Sequence, residues 1–401
     1  MKRLMMLIMT LVVGAAAGMT PEEFQALYSA RKKGADECWQ LYEAYAQGDG
    51  VEKNDTQARK WLLAAHRCGK EGAREELAKL PWRSALKVKK SIKVAKVDDA
   101  TARAKGEELV RLLMAWGKEN NVNGINGTAC ELSKEMMKEV RQLISDGADL
   151  NVVVVKDDVY YTALSMACAC ANADLAKMLI AAGADPCAGG MEALSVCMVR
   201  YDEMSPRVKA GQQIKPARTV KGAERTMKRE RKKAAAKAPA TAVTDSEKNA
   251  KKMIELLLKN GLDAGMWTDC GWSVGVMAVF ADSPLAIELL AKSGVNVNAP
   301  SRVEECVSAA ISARRMDYLT KSFFVHEGAV PLYSAVRNMN DAVTQALLNS
   351  GADLSAPLNK KGLTVKQFVE EQEKALSEKK GGAPHMLDRW ANCIRMLKEA
   401  M

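Results

Sequence analysis

Histidine and cysteine are the side chains whose spacing in this sequence could support chemistry. The three histidines, His66, His326 and His385, lie far apart and form no His-Glu-x-x-His pair. The stretch Cys168–Cys170 is Cys-x-Cys rather than a Cys-x-x-Cys redox motif, and no second cysteine pair at zinc spacing accompanies it. No phosphate-binding loop is present. We therefore predict a protein that is not an enzyme and that uses neither a cofactor nor a metal ion.

The positive charge of the chain is concentrated in one segment. The formal net charge is +10, yet residues 205–250 contain 13 Lys and Arg against 4 Asp and Glu, a net charge of +9. Few aromatic residues and many Ala, Lys and Arg predict a disordered basic insertion. It is either a solvated loop or a polyanion-binding site, the candidate residues being Lys228, Arg229, Arg231, Lys232 and Lys233. The remainder is close to neutral, which argues against a specific nucleic-acid binder.

The first residues have the pattern of an export signal. Met1-Lys2-Arg3 is a short basic start, and residues 4–17 form an apolar run that ends in three alanines. This run is shorter than the roughly 18 residues that a membrane-spanning helix needs. We predict a signal peptide over residues 1–18 and a periplasmic or secreted protein, with an uncleaved membrane anchor as the alternative. Some of the ten cysteines could form one or two disulfides in such a compartment.

A repeated pattern organises the chain from about residue 140 onward. Each unit has an apolar helical run, a glycine, a short irregular stretch and a helix of small residues. Glycine is favoured just after a helix because it adopts the left-handed conformation without a steric penalty. The marker glycines are Gly147, Gly183, Gly261, Gly294, Gly328 and Gly351. One interval is much too long for a common unit, which places the basic insertion between the two helices of one repeat.

These residues resemble ankyrin repeats, which have about 33 residues, a hairpin finger and two antiparallel helices per unit. The stretches 161–168, 179–185, 271–298 and 331–353 carry the resemblance. It implies a mainly α, helical-repeat solenoid over residues 104–401, interrupted by the basic insertion. Ser165, Ser195, Val276 and Tyr333 stand where the family has histidine. The short interval from Gly328 to Gly351 predicts that one finger is missing.

A second resemblance covers residues 35–80. Leu41, Tyr45, Gly48, Gly50 and Trp61 are similar in type and spacing to a Sel-one-like repeat, a helical hairpin related to tetratricopeptide repeats. It implies an N-terminal helical hairpin region over residues 19–81, which should dock onto neighbouring helices because so few units cannot bury a core alone. Basic residues follow, and we predict a linker over residues 82–103.

The ankyrin resemblance also implies a site, because family members bind partners through their fingertips and the exposed part of each first helix. Two Trp and one Phe would then form a solvent-facing apolar patch, and aromatic anchors dominate interface hot spots. The alternative is that these rings fold back onto their own hairpins. The predicted partner-binding residues are Trp267, Asp269, Cys270, Trp272, Phe280 and Ala281, with Asp158, Val159 and Tyr161 in the earlier unit.

The favoured function is an exported, non-enzymatic scaffold that binds a macromolecular partner, expected to be a protein, through the ankyrin fingers and concave face. The alternative is an adhesin or scaffold that binds an anionic surface or polymer through the insertion. A third class is an enzyme that uses the solenoid to dock its substrate. Salt should separate the first two, since an aromatic patch loses less affinity with ionic strength than a polybasic loop does.

Overall fold

The structure is a computed structural model, and it is mainly helical in the part of the chain that it describes, with one short β-hairpin. No helix of this part is long and apolar enough to cross a membrane. The described residues are 18–30, 33–79, 92–120, 122, 131–156, 159–189, 191–201, 244–265, 267–268, 271–302, 328–379, 381 and 383–401.

The helices are numbered in chain order. They are α1 (Pro21–Tyr28), α2 (Ala35–Gln47), α3 (Asp55–Arg67), α4 (Ala73–Lys79), α5 (Asp99–Glu119), α6 (Lys134–Ser145), α7 (Ala163–Ala169), α8 (Ala173–Ala182), α9 (Glu192–Ser195), α10 (Asp245–Lys259), α11 (Val274–Phe280), α12 (Pro284–Lys292), α13 (Pro331–Arg337), α14 (Asp341–Asn349), α15 (Val365–Glu378) and α16 (Pro384–Ala400). The strands are β1 (Val154–Lys156) and β2 (Val159–Tyr161).

From α5 onward, α5 pairs with α6, α7 with α8, α11 with α12, α13 with α14 and α15 with α16, and these pairs stack on one another. The first helices form one layer, in which α7 contacts α5 and α9, and α11 contacts α13. The second helices form another, in which α10 contacts α8 and α12, and α12 contacts α14. The pair α15 and α16 closes the stack through contacts of α16 with α13 and α14. This arrangement is the helical-repeat solenoid that the ankyrin resemblance predicts.

Local sequence signals set the helix ends. Thr162 precedes α7, and its Oγ1 accepts a hydrogen bond of 2.9 Å from the Ser165 amide, which satisfies a donor that the first turn leaves unpaired. At the other end of the pair, Gly183 ends α8 with a φ of 119°, a left-handed conformation that glycine adopts readily. Gly147, Gly261 and Gly351 also have a positive φ just beyond their helices, as the repeat pattern predicts.

Gly328 differs from the other marker glycines. Its amide donates to the Ser301 carbonyl at 2.9 Å, and the Ser301 amide donates to the Ala329 carbonyl at 2.9 Å. These bonds join the chain before α13 to the chain after α12, while α13 packs directly on α11. Residues 303–327 between these two segments lie outside the described residues. The expectation that a finger is missing between Gly328 and Gly351 therefore stays a prediction.

The structure also differs from two of the predicted boundaries. Helix α10 begins at Asp245 after the capping residue Thr244, so the last residues of the predicted basic insertion are helical. Helix α5 begins at Asp99, inside the predicted linker over residues 82–103. In both places a capping side chain starts the helix earlier than the apolar periodicity indicates, because a cap requires only local hydrogen bonds. Residues 205–243 of the insertion and residues 1–17 lie outside the described residues.

The N-terminal region is a helical hairpin that docks onto the solenoid. Helices α2 and α3 pack closely, and Trp61 and Leu41 are fully buried within the hairpin. On α3, Leu62 and Leu63 belong to the same apolar core as the solenoid helices. The docking agrees with the expectation that so small a unit needs neighbouring helices to bury its apolar surface.

Candidate functional site

Within the described residues, one finger is present as a pair of strands. Strands β1 and β2 pair antiparallel, with Val154 opposite Tyr161 and Lys156 opposite Val159. Valine and tyrosine favour strands because their side chains pack well on a pleated surface. Val155 is nevertheless 51% exposed, so this hairpin presents apolar surface to solvent.

A groove lies between this hairpin and the helices beside it, and we call it the hairpin groove. It encloses about 930 Å³. One wall is α5, the other wall is the hairpin, and α7 contributes to the floor. Most of the lining is apolar: Met114, Ala115, Gly117, Val122, Val154, Val155, Val159, Tyr160, Tyr161, Met166, Ala169 and Val196. The remaining lining residues are Arg111, Lys118, Lys156, Ser165 and Glu192.

A glycine of α5 allows its close approach to the finger. A Cβ at Gly106 would collide with the carbonyl of Asp149 at the finger base, and a Cβ at Gly117 would lie 2.8 Å from Met166 Cε. The Asp149 carbonyl belongs to the backbone, so a larger residue at Gly106 would push α5 away from the finger base, whereas the terminal methyl of Met166 can shift to accept a Cβ at position 117. Gly106 therefore permits the close approach of α5 to the finger base.

The structure places the predicted site residues of this earlier unit at the groove. Val159 and Tyr161 line it and are half-buried. Asp158 lies outside the described residues. The structure therefore brings two of these three predicted residues together with side chains of α5 and α7.

The aromatic patch predicted around the later unit does not face solvent as a whole. Trp272 is only 6% exposed, and its ring lies 5.4 Å from that of Phe280. Trp267 is half-buried: its Nε1 donates to the Pro300 carbonyl at 2.9 Å, and the Arg302 guanidinium stacks 3.9 Å from its ring centre. The solvent-facing position predicted for Trp272 was wrong, because its large apolar ring is buried in the solenoid core.

The other four predicted residues of that unit include two that the structure describes and two that it does not. Phe280 is 46% exposed, and Ala281 is half-buried in the turn after α11. Asp269 and Cys270 lie outside the described residues, as do Lys228, Arg229, Arg231, Lys232 and Lys233 of the candidate polyanion site.

The stretch Gly271–Gly275 matches the Gly-x-Ser-x-Gly pattern of a hydrolase nucleophile elbow. Here Ser273 is the capping residue of α11, and its Oγ accepts a hydrogen bond of 3.4 Å from the Val276 amide. Its side chain is buried, since the whole residue is 2% exposed. The serine therefore has a helix-capping role and is not accessible to a substrate.

Charged side chains of α3 bind the bases of successive fingers. Arg59 donates to Asp185 Oδ1 at 2.6 Å and to the Gly261 carbonyl, and His66 Nε2 lies 3.0 Å from Asp149 Oδ2. Burial alone would raise the pKa of the Asp149 carboxyl, but the adjacent His66 imidazole and the hydrogen bond from the Asn151 amide lower it. These contacts attach the N-terminal hairpin to the side of the finger bases.

Side chains of α5 and α7 were not among the residues predicted for the site. Met114 and Lys118 on α5 line the groove, but α5 precedes the first recognisable repeat and was assigned in part to a linker. Met166 lies four residues after Thr162, a position that the sequence analysis assigned to the repeat framework. The apolar periodicity of residues 109–116 was the available signal that α5 is a first helix of the stack.

Comparison with known proteins adds one family match. A model of the ankyrin repeat matches residues 160–190, which span most of β2, α7, α8 and the loop that follows. The chain contains an ankyrin repeat. The ankyrin repeat is a non-catalytic module of protein–protein interaction, and here the matched repeat supplies most of β2 and the α7 residues that line the groove. No curated protein matches the chain.

The comparisons do not support the Sel-one-like resemblance of residues 35–80, which stays a prediction although the region is a helical hairpin. Within the described residues, no three His, Cys, Asp or Glu side chains are close enough together to hold a metal ion.

Proposed function

We propose that this chain is an exported, non-enzymatic interaction protein that binds a protein partner in the hairpin groove. The observation that carries the proposal is the apolar lining of this groove, which encloses about 930 Å³ beside the matched ankyrin repeat. Exposed apolar surface that is continuous with a groove is typical of a binding site, since a soluble protein otherwise buries such surface.

The shape of the groove favours a segment of a protein over a small molecule. One wall is formed by residues 111–118 of α5, and the opposite wall is a hairpin whose Val155 extends into solvent. Such an open channel can accept several consecutive side chains of a partner. A long partner segment would bury apolar area along the whole channel, and buried apolar area is a main source of binding free energy.

Val155 allows a direct test, with Val94 as its matched control. Both valines are exposed, at 51% and 42%, but only Val155 lines the groove. A photo-crosslinking residue at position 155, but not at position 94, should capture a partner in the native compartment. Once that partner is purified, Val155→Glu should weaken its binding at least tenfold, because the carboxylate would be buried against apolar groups.

The Val94→Glu control should bind as wild type does, because its side chain lies outside the groove. Equal binding of the purified partner to Val155→Glu and wild type would contradict the proposed site. Crosslinking in separated cell compartments and medium also tests export, since an exported chain is recovered outside the cytosol.

The alternative function, binding of an anionic surface or polymer, is supported by the net charge of +9 in residues 205–250. A polybasic segment of this kind attracts polyanions without a shaped pocket. Its affinity should fall steeply with salt, whereas binding in the apolar groove should depend less on salt.

A further inference from the structure

The charged residues that line the hairpin groove are mainly basic in the described part of the chain. Arg111, Lys118 and Lys156 are cationic, and Glu192 is the acidic lining residue. Arg111, Lys118 and Lys156 are all exposed. The groove therefore combines an apolar floor with a basic rim.

Two of these cations lie on α5, which forms one wall of the groove. Arg111 and Lys118 are seven residues apart on α5, so they are separated by about 10.5 Å along the helix axis. Met114 and Ala115 lie between them in the groove lining. A partner lying along this wall meets a cation, then apolar surface, then a second cation.

The cations of the rim can pair with a partner. Within the described residues, no carboxylate forms an ion pair with Lys118 or Lys156. Arg111 pairs with Glu107 at 3.0 Å, and the Arg111 side chain is 68% exposed. An exposed pair between residues four apart contributes little, so exchanging Glu107 for a partner's carboxylate would cost little free energy.

We infer that the partner of the hairpin groove is an acidic, apolar protein segment, in which apolar side chains are flanked by carboxylates about 10 Å apart. This inference rests on the proposed function of the groove. Carboxylates seven residues apart on a helix share one face and have this separation. The apolar side chains supply buried area, while the carboxylates select this partner over basic segments and speed its association.

Selection from a displayed library of random 16-residue peptides, with the full chain as bait, tests the inference. The library is first depleted on the Val155→Glu chain, which removes peptides that bind elsewhere, including acidic peptides held by the basic insertion. The remaining peptides should be enriched in Asp and Glu flanking apolar residues. Their affinity for an Arg111→Glu, Lys118→Glu chain should fall at least tenfold.

The matched control is Lys251→Glu, Lys252→Glu on α10, where both side chains are exposed and distant in sequence from the groove. It should bind the selected peptides as wild type does, and circular dichroism should show that both double variants keep their helices. Peptides that are neutral or basic, or that bind equally to the Arg111→Glu, Lys118→Glu chain, would overturn the charge inference and leave the groove as a site. Recovery of no peptide after depletion would overturn the proposed function as well.

Discussion

At the scale of single residues, three turns of the solenoid contain the same backbone strain. Ala171, Asp282 and Met339 have φ values of 53°, 48° and 57°, and each lies in the turn between the two helices of a repeat. Residues other than glycine rarely adopt this left-handed conformation, because Cβ approaches the backbone carbonyl. The three residues therefore mark equivalent positions of three repeats, although their side chains have nothing in common.

Ala171 allows the backbone strain to be tested by itself, because its side chain carries no charge, whereas Asp282 also forms an ion pair with Arg389. We expect Ala171→Gly to raise the free energy of unfolding by about 0.5–1 kcal/mol, because glycine relieves the strain at the loss of only one methyl group. Urea denaturation measures the change. The same exchange at Ala169, the last residue of α7, should lower stability by about 0.5–1 kcal/mol, and a fall in stability at position 171 as well would contradict the strain argument.

At the scale of elements, α3 runs along the finger bases in register with the repeats. Arg59 and His66 are seven residues apart, about 10.5 Å along the axis, and they contact Asp185 and Asp149, which are one repeat apart. Helices of neighbouring repeats pack 8–10 Å apart, so one helix can reach one finger base every two turns. This match of spacings explains how a short hairpin attaches to more than one repeat.

Arg59 is the side chain that tests this attachment. Arg59→Leu should lower the free energy of unfolding by about 3 kcal/mol, because it leaves the buried Asp185 carboxylate without its cation. Hydrogen exchange should become faster in α1–α4 than in α11–α14. Arg395→Leu is the control: the Arg395 side chain is 57% exposed in its pair with Glu399, and the change should stay within about 0.5 kcal/mol. Equal losses in the two variants would show that α3 is not held by Arg59.

At the scale of the whole molecule, the apolar core is continuous from Leu62 on α3 to Leu397 on α16. In a solenoid each unit is stabilised by its neighbours. An insertion between two helices can therefore be replaced with little loss of stability, as long as the ends of both helices are kept. Thr244 is one such end, since its Oγ1 accepts from the Glu247 amide at 3.2 Å and its own amide donates to Glu247 at 2.7 Å.

Replacement of residues 205–243 by a short Gly/Ser linker should therefore leave the melting temperature within a few degrees of wild type. It should also abolish salt-sensitive retention of the chain on anionic vesicles or heparin. A control variant keeps the full length of the insertion but removes five of its charges. In it, glutamine replaces Lys228, Arg229, Arg231, Lys232 and Lys233, so the effect of charge is measured separately from the effect of length. Retention that survives both changes would eliminate the alternative function, whereas a large fall in melting temperature would show that the segment contributes to folding.

The sequence by itself determined the helical-repeat class and the glycines that follow several helices. Apolar periodicity, capping side chains such as Thr162 and glycines such as Gly183 act within a few residues, so their effect can be predicted locally. The resemblance to ankyrin repeats, rather than these local signals, predicted partner-binding residues at Val159 and Tyr161, which line the groove. Local signals did not predict that Gly328 pairs with Ser301, since that partner lies 27 residues earlier in the chain.

Only the tertiary structure decided which side chains remain exposed. Trp272 and Val155 are both apolar residues beside a predicted finger, yet Trp272 is 6% exposed and Val155 is 51% exposed. The difference arises from neighbours that lie far away in the chain, and the docking of α3 onto Asp185 has the same non-local origin. Helix formation depends on hydrogen bonds within one segment, whereas exposure depends on the packing of all segments, so the candidate site required the folded chain.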